Sequence, residues 1–317
     1  MKNQAYDLIG DIHGQHEKLI TLLQNLGYRP RGEFAGWEHP EGRKVIFLGD
    51  YIDRGPKVRE VLREVRAMVD ADDALAIMGN HEYNALLFQM PDGDGGFLRP
   101  RNEKNIRQHS ATLAAFDGRE EEWDEWITWM KRLPMFLDLG GLRAVHACWD
   151  TRRIAWLKKQ PLESEEFLRS SAVPGSREHR AVENVLKGPE LSMPEGVFYF
   201  DKEKVPRNRI RARWWNLPAE DTSAGLLAMP EPFATDGEIP WYEIRRVPNY
   251  GADEPPVFFG HYWMPPHLPK EPFVPNIACL DFSAGLGDDP LVAYRWDGEK
   301  VLSGEKFFTA GKGGRND

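Results

Sequence analysis

Short apolar runs, each stopped by a glycine and then a polar residue, set the rhythm of this chain. Tyr6 to Ile9 is the first run and ends at Gly10-Asp11-Ile12-His13-Gly14. Leu19, Leu22, Leu23 and Leu26 then recur at helical spacing and stop at Gly27. Residues 28–43 carry Pro30, Gly32, Gly36, Pro40 and Gly42 and read as a loop or hairpin. The run Val45-Ile46-Phe47-Leu48 ends at Gly49-Asp50-Tyr51-Ile52-Asp53-Arg54-Gly55, and Val58, Val61, Leu62, Val65 and Met68 mark a second amphipathic helix. A third run, Leu75 to Met78, ends at Gly79-Asn80-His81-Glu82. Strands separated twice by helices predict a βαβαβ unit with a parallel sheet. The polar residues of all three turns then gather along one edge, where open α/β sheets hold their ligands.

Further on the pattern is more mixed. Residues 84–132 read as helical, interrupted by a glycine-rich loop at 91–96, with Trp123, Trp126, Ile127 and Met130 as a core-facing stripe. Met135 to Leu139 and Leu142 to Val145 flank Gly140-Gly141 as a hairpin whose second strand ends at His146. Residues 150–188 are charged and helical in pattern. Residues 189–275 hold fifteen of the 24 prolines, which makes a second regular domain there a poor reading. We expect a loop-rich insert at about 189–255 within one domain of residues 1–310, because the chain returns to strand-like Val257 to Gly260, followed by His261. Cys279 to Phe282, Leu291 to Trp296 and Lys300 to Leu302 read as closing antiparallel strands, with Asp297-Gly298 as a hairpin turn. Residues 311–317 read as a disordered tail.

Composition narrows the function. With 41% hydrophobic and 29% charged residues, the chain has the profile of a globular enzyme rather than a disordered protein. A net charge of −9 argues against a general nucleic-acid partner. An acidic protein that handles anions needs concentrated positive charge, from metals or clustered arginines. The two cysteines, Cys148 and Cys279, lie beside apolar runs without a CxxC and read as buried free thiols. No signal peptide or long apolar span is visible, which gives the expectation of a cytoplasmic protein without a membrane partner.

Five strand ends carry candidate chemistry: Asp11 and His13, then Asp50, Asp53 and Arg54, then Asn80 and His81, then His146, then His261. A single histidine at a strand end is usually structural. Carboxylates clustered away from water are costly and call for cations. A mixed nitrogen and oxygen set suits manganese, iron, zinc or nickel, where an all-oxygen set would suit magnesium or calcium. Asp53 and Arg54, taken alone, also read as a structural ion pair closing their turn.

GDIHG at 10–14, GDYIDRG at 49–55, GNHE at 79–82, His146 and Gly260-His261 together resemble the calcineurin-like metallophosphoesterase superfamily, in its phosphoprotein-phosphatase and diadenosine-tetraphosphatase-like branch. The resemblance covers residues 1–150 and 256–305. It implies an α/β fold, a two-sheet β sandwich flanked by helices in four αββα layers. It implies two divalent transition-metal ions, manganese first. Asp11, His13 and Asp50 would hold one, and Asp50, Asn80, His146 and His261 the other, with Asp50 bridging. A hydroxide held between the metals would attack phosphorus in line. His81 would be the general acid, Asp53 would orient it, and Arg54 would bind phosphate.

The family also supplies a second arginine. In Arg207-Asn208-Arg209-Ile210-Arg211-Ala212-Arg213-Trp214, an extended backbone puts the arginines on one face and Ile210, Ala212 and Trp214 on the other. Arg211 and Arg213 are the candidates for phosphate binding, and a solvated strand face is the alternative. Trp149 stands where the family carries a glycine, and would narrow the cleft, stack a base or simply pack. The expected activity is hydrolysis of a phosphomonoester or phosphoanhydride, a phosphorylated small molecule such as a dinucleoside polyphosphate being favoured. A serine/threonine phosphoprotein is the alternative substrate. A non-catalytic binding module would have lost a ligand or the acid, and every motif position here is filled. His16, His39, His109, His179 and His267 match no motif and read as ordinary surface or packing residues, and Glu82 reads as structural.

Overall fold

The computed structural model describes residues 4–33, 35–193, 196, 198–200, 206–215 and 244–310. Much of the proline-rich insert and the 311–317 tail lie outside the described residues. Among the described residues, nine strands form the two main sheets. In chain order they are β1 (Tyr6–Ile9), β2 (Lys44–Phe47), β3 (Ala74–Ala76), β4 (Phe136–Asp138), β5 (Arg143–Val145), β6 (Val257–Phe259), β7 (Ile277–Cys279), β8 (Leu291–Trp296) and β9 (Phe307–Ala310). The first sheet has the order β9-β8-β1-β2-β3 and the second β7-β6-β5-β4.

The βαβαβ expectation holds. β1 pairs with β2 and β2 with β3 in parallel, with helices α1 (His16–Asn25) and α2 (Val58–Asp70) as the crossovers. The period-two alternation of each strand divides its side chains between two cores. Leu8, Ile46, Val292 and Tyr294 of the first sheet meet Ala144, Phe258 and Ala278 of the second in one buried cluster. The rings of Phe258 and Tyr294 stand 5.0 Å apart across that interface. Ile9, Val45, Phe47, Val257, Phe259 and Cys279 face the other way, into the larger core that includes Leu19, Leu22, Val61 and Leu62 of the helices. The layers are therefore helices, sheet, sheet, helices.

The C-terminal strands differ from expectation. β7 runs parallel to β6 in the second sheet instead of closing antiparallel, and Lys300 to Leu302 is not a strand. β9 takes that place, antiparallel to β8. The Asp297-Gly298 turn leads into a 3₁₀ turn at Gly304–Lys306 before β9 begins, so the connection is longer than a tight hairpin. The β4–β5 hairpin is antiparallel as expected. Residues 151–187 form three helices, Thr151–Leu157, Glu165–Ala172 and Arg177–Lys187. Among the described residues, no helix is long and apolar enough to cross a membrane.

Candidate metal centre

β1, β2 and β3 end side by side, as do β5 and β6, so five chain segments deliver their polar residues to one place. Asp50 sits at the middle. Its Oδ2 lies 3.5 Å from His13 Nε2 and 3.9 Å from His81 Nε2, and its Oδ1 lies 3.4 Å from His146 Nε2. His146 Nε2 is also 3.1 Å from Asn80 Oδ1. The rings of His146 and His261 are 5.2 Å apart, and the backbone N–H of His261 donates to Asp11 Oδ2 at 3.0 Å. All six residues proposed as ligands from the sequence thus converge, each buried.

The second ring nitrogens are occupied in a way that aims the first ones. His13 Nδ1 bonds the carbonyl of Ile52 at 2.9 Å, and His146 Nδ1 bonds the carbonyl of Leu48 at 2.7 Å. Such outer hydrogen bonds fix ring orientation and leave Nε2 as the ligand atom. His13 Nε2, His261 Nε2 and Asp11 Oδ1 are buried and find no hydrogen-bond partner among the described residues. Unsatisfied buried atoms of this kind cost roughly 1–3 kcal/mol each. Three of them at one cluster of buried donors fit a cation. Two sets of donor atoms lie within 4.8 Å of one another, His13-Asp50-His81 and Asp50-His146-His261.

The electrostatics agree. Burial lowers the His13 imidazole, with help from His81, to about 3, so its lone pair is available. Burial alone would lower His146 too, but the Asp50 and Asp11 carboxylates reverse that and lift it to about 10. Burial and the neighbouring Asp281 push the Asp11 carboxyl well above the usual range. The carboxyl groups of Asp11, Asp50, Asp53 and Asp281 are all buried at this one site, a crowding that a divalent ion relieves.

Two motif glycines are demanded by close approach. A Cβ on Gly260 would lie 1.9 Å from Asp11 Oδ1, and one on Gly79 would lie 2.2 Å from Asp50 Oδ1. Backbone strain concentrates here as well. Eight non-glycine described residues have positive φ, and six of them, His13, Asp50, Asp53, Arg54, His261 and Trp263, belong to this site. Such conformations persist only where the surroundings over-determine them.

Glu82 supplies much of that determination. Its buried carboxylate accepts the N–H groups of Asp50 at 2.8 Å and Gly79 at 2.9 Å on Oε2, and of Tyr51 at 2.8 Å and Ile52 at 3.3 Å on Oε1. Glu82 stands on the first turn of α3 (Asn80–Gln89), so it ties the β2 turn to the helix that presents Asn80 and His81.

Beside the cluster, His81 Nδ1 bonds Asp53 Oδ2 at 2.5 Å, leaving Nε2 toward Asp50. Burial would raise the Asp53 carboxyl, yet hydrogen bonds from His109 and His81 hold it below the usual range. His81 itself is raised above its ordinary value, burial being outweighed by Asp50 and Asp53. Arg54 lays its guanidinium over the Trp263 ring, Cζ 3.7 Å from the centroid.

The arginine run behaves as its alternation foretells. Arg209–Arg211 is a short strand antiparallel to Glu190–Ser192, with Ile210, Ala212 and Trp214 buried on one side. Trp214 Nε1 donates to the carbonyl of Ala147, which clamps the strand against the turn after His146. Arg211 is 6.0 Å from the Tyr262 ring centroid. Its charge joins burial in pushing His261 well below the usual value. Arg213 follows on the same face, half-buried, its pKa lowered by burial.

Trp149 is packed against Phe136 and Arg143 in the core, so it neither narrows the cleft nor offers a face to a base. Cys148 and Cys279 are buried and free.

His109, read from sequence as ordinary, is not. It is buried, and its Nδ1 bonds Asp53 Oδ1 at 2.7 Å across 56 residues of chain. Asp281 and Trp263 also escaped sequence reading. Asp281 accepts the N–H of Trp263 at 2.7 Å and of Ser283 at 2.9 Å, fixing the turn on which Arg54 rests. Their only sequence signal is proximity to motifs, Trp263 two residues after His261 and Asp281 at the end of an apolar run.

A two-sheet αββα fold with nitrogen and oxygen ligands massed at its strand ends defines the metallophosphoesterase class. The chain belongs to the calcineurin-like phosphoesterase family, whose model matches residues 6–172. It is 44% identical over 77 residues to the protein named bis(5'-nucleosyl)-tetraphosphatase PrpE (asymmetrical) of Halalkalibacterium halodurans, 24% of this chain and 30% of that one. The chain thus spans under a third of that relative's length. The protein named bis(5'-nucleosyl)-tetraphosphatase, symmetrical, of Vibrio campbellii is 22% identical over 302 residues, 93% of this chain and 97% of the relative. A solved protein serine/threonine phosphatase from Saccharomyces cerevisiae overlays at a TM-score of 0.48 with 11% identity, covering 100% of this chain and 82% of that one. A likeness of that size carries no argument.

Proposed function

We propose that this protein is a metal-dependent phosphoric-ester hydrolase whose preferred substrates are dinucleoside polyphosphates. The observation that carries the reading is the set of unpartnered ligand atoms, Asp11 Oδ1, His13 Nε2 and His261 Nε2, buried around Asp50. We assign Asp11, His13 and Asp50 to one ion and Asp50, Asn80, His146 and His261 to a second, with Asp50 shared. The mixed donor set favours manganese, with iron, zinc or nickel as other candidates. Bound there, two divalent ions would supply a Lewis-acid clamp for the phosphoryl group and a nucleophilic water near neutral pH.

The chain's own groups do the rest. His81 donates its Nδ1–H to Asp53, and it carries a second proton, on Nε2, as the imidazolium that the Asp50 and Asp53 carboxylates favour. In hydrolysis, water adds to phosphorus, the bond to the leaving oxygen breaks and that oxygen takes the His81 Nε2 proton, while the proton lost by the attacking water passes to solvent, from which His81 is recharged. Arg54 is held flat on Trp263 with its N–H groups available to the free phosphate oxygens. Arg211, whose charge acts on His261, and Arg213 two residues on add positive charge beside the cluster, which suits a substrate with several phosphates. The Vibrio campbellii relative, aligned over 93% of the chain and named for a dinucleoside tetraphosphate, supports that choice.

The test is a substrate panel with manganese: dinucleoside tetraphosphates, mononucleotides, p-nitrophenyl phosphate and serine/threonine phosphopeptides. We expect the highest kcat/KM for a dinucleoside polyphosphate, and up to two divalent ions per chain in protein prepared without chelator. Faster turnover of phosphopeptides would transfer the assignment to protein dephosphorylation. Full activity in a metal-free preparation would overturn it altogether.

A further inference from the structure

Asp53 has more hydrogen-bond partners than a histidine–aspartate pair requires. Its Oδ2 accepts from His81 at 2.5 Å, while Oδ1 accepts from His109 Nδ1 at 2.7 Å and from the Thr112 hydroxyl at 2.5 Å. The Asp53 backbone N–H returns a bond to the same hydroxyl at 3.0 Å. His109 is the residue that joins the helices Glu103–Gln108 and Ser110–Ala115, and Thr112 lies in the second of them, far from every sequence motif.

We propose that His109 is a positioning residue for His81, acting through Asp53 in a His109–Asp53–His81 relay; the proposal rests on the reading of His81 as general acid. The environment of His109 supports a dedicated role. Its ring is caged by Phe88, with centroids 5.2 Å apart, and Trp123, at 5.8 Å. Its Nε2 is buried with no partner among the described residues. A packing position in such a cage is filled as well by phenylalanine, without leaving a polar atom bare. What the imidazole adds is one N–H, and the one hydrogen bond the ring makes assigns that proton to Nδ1. With Oδ1 saturated from this side, the carboxylate cannot rotate away, and Oδ2 stays aligned on His81 Nδ1. That alignment keeps His81 Nε2 pointing at the cleft, 3.9 Å from Asp50 Oδ2. Asp53 pays a backbone cost to stand there, with φ 68°.

The relay predicts a leaving-group signature. An acid is needed when the leaving oxygen is basic and is dispensable when it is not. His109→Phe keeps the cage and removes the donor. His109→Asn keeps an N–H near the Nδ1 position. With manganese present, H109F should lower kcat for phenyl phosphate about 10- to 100-fold while kcat for 2,4-dinitrophenyl phosphate stays within roughly 3-fold, and H109N should recover most of the loss. KM should change little for either substrate. A second readout is the downfield Nδ1–H proton of His81 in the NMR spectrum, which should move upfield in H109F and return in H109N. Equal losses on both substrates, an H109N no better than H109F, or an unmoved His81 resonance would each overturn the relay. If the wild-type protein hydrolyses neither aryl phosphate nor any dinucleoside polyphosphate, the phosphoesterase reading fails, and the resonance still decides whether His109 sets the His81–Asp53 bond.

Discussion

Replacing Glu82 by glutamine changes one atom of a buried side chain and should cripple the site. The carboxylate accepts four backbone N–H groups, two on each oxygen, from Gly79, Asp50, Tyr51 and Ile52. A side-chain amide can turn either way, but one of its ends is then an NH₂ facing two N–H donors. Two charge-assisted bonds are lost, each contributing about 1.5–3 kcal/mol, and their donors are left buried and unpaired. The loss is therefore about 3–6 kcal/mol, against a total stability on the order of 5–15 kcal/mol. Because one of the four donors is the N–H of Asp50 itself, the shared carboxylate should shift and metal affinity should fall with stability. Thermal and urea unfolding of E82Q, with chelator and with manganese, measure both. We expect a drop in Tm on the order of 10 °C without metal and a smaller manganese-induced rise than in the wild type. Glu125→Gln, at an exposed position in the middle of the helix Glu120–Lys131, is the control and should change stability by less than about 0.5 kcal/mol. A loss in E82Q below about 1 kcal/mol would refute the argument, since it would mean that the four N–H groups have other partners.

Other outcomes follow from the same geometry. His81→Ala should reduce kcat by about 10²- to 10⁴-fold for poor leaving groups, with metal content by elemental analysis unchanged; intact turnover would remove His81 from the acid role. Gly260→Ala places a Cβ 1.9 Å from Asp11 Oδ1, so it should lose divalent metal in equilibrium dialysis, and retention of two ions would show that the Asp11 position is adjustable. Arg211→Ala and Arg213→Ala should raise KM for dinucleoside tetraphosphates by about 10-fold, a lost charge-assisted contact, and hardly affect p-nitrophenyl phosphate. Equal effects on both substrates would argue against an outer phosphate clamp.

How legible the site was depended on distance along the chain. Asp11, His13, Asp50, Asn80, His146 and His261 each follow an apolar strand directly, so the strand's own direction delivers them to the sheet edge. Their convergence around Asp50 needed no more than a parallel arrangement. The face of Arg211 and Arg213 was readable for a similar reason, since alternation along an extended segment is a local property. His109 was not, because its partner lies 56 residues away and no strand points it there. Nor was the sheet to which Ile277–Cys279 belongs. An apolar run of three residues suits either a parallel or an antiparallel neighbour, and the choice falls to pairing with Val257–Phe259.

The sequence alone settled the layered α/β fold and the family, and it named the candidate strand-end ligands, because each is written in local order: a strand, a glycine, a polar residue. Tertiary structure decided what surrounds those residues. It left three candidate ligand atoms buried without a partner among the described residues, gave Glu82 four backbone donors, set Arg54 on Trp263, and brought His109 against Asp53. Those contacts depend on how distant segments pack, and no period or spacing in a single chain encodes which buried polar atom will meet which.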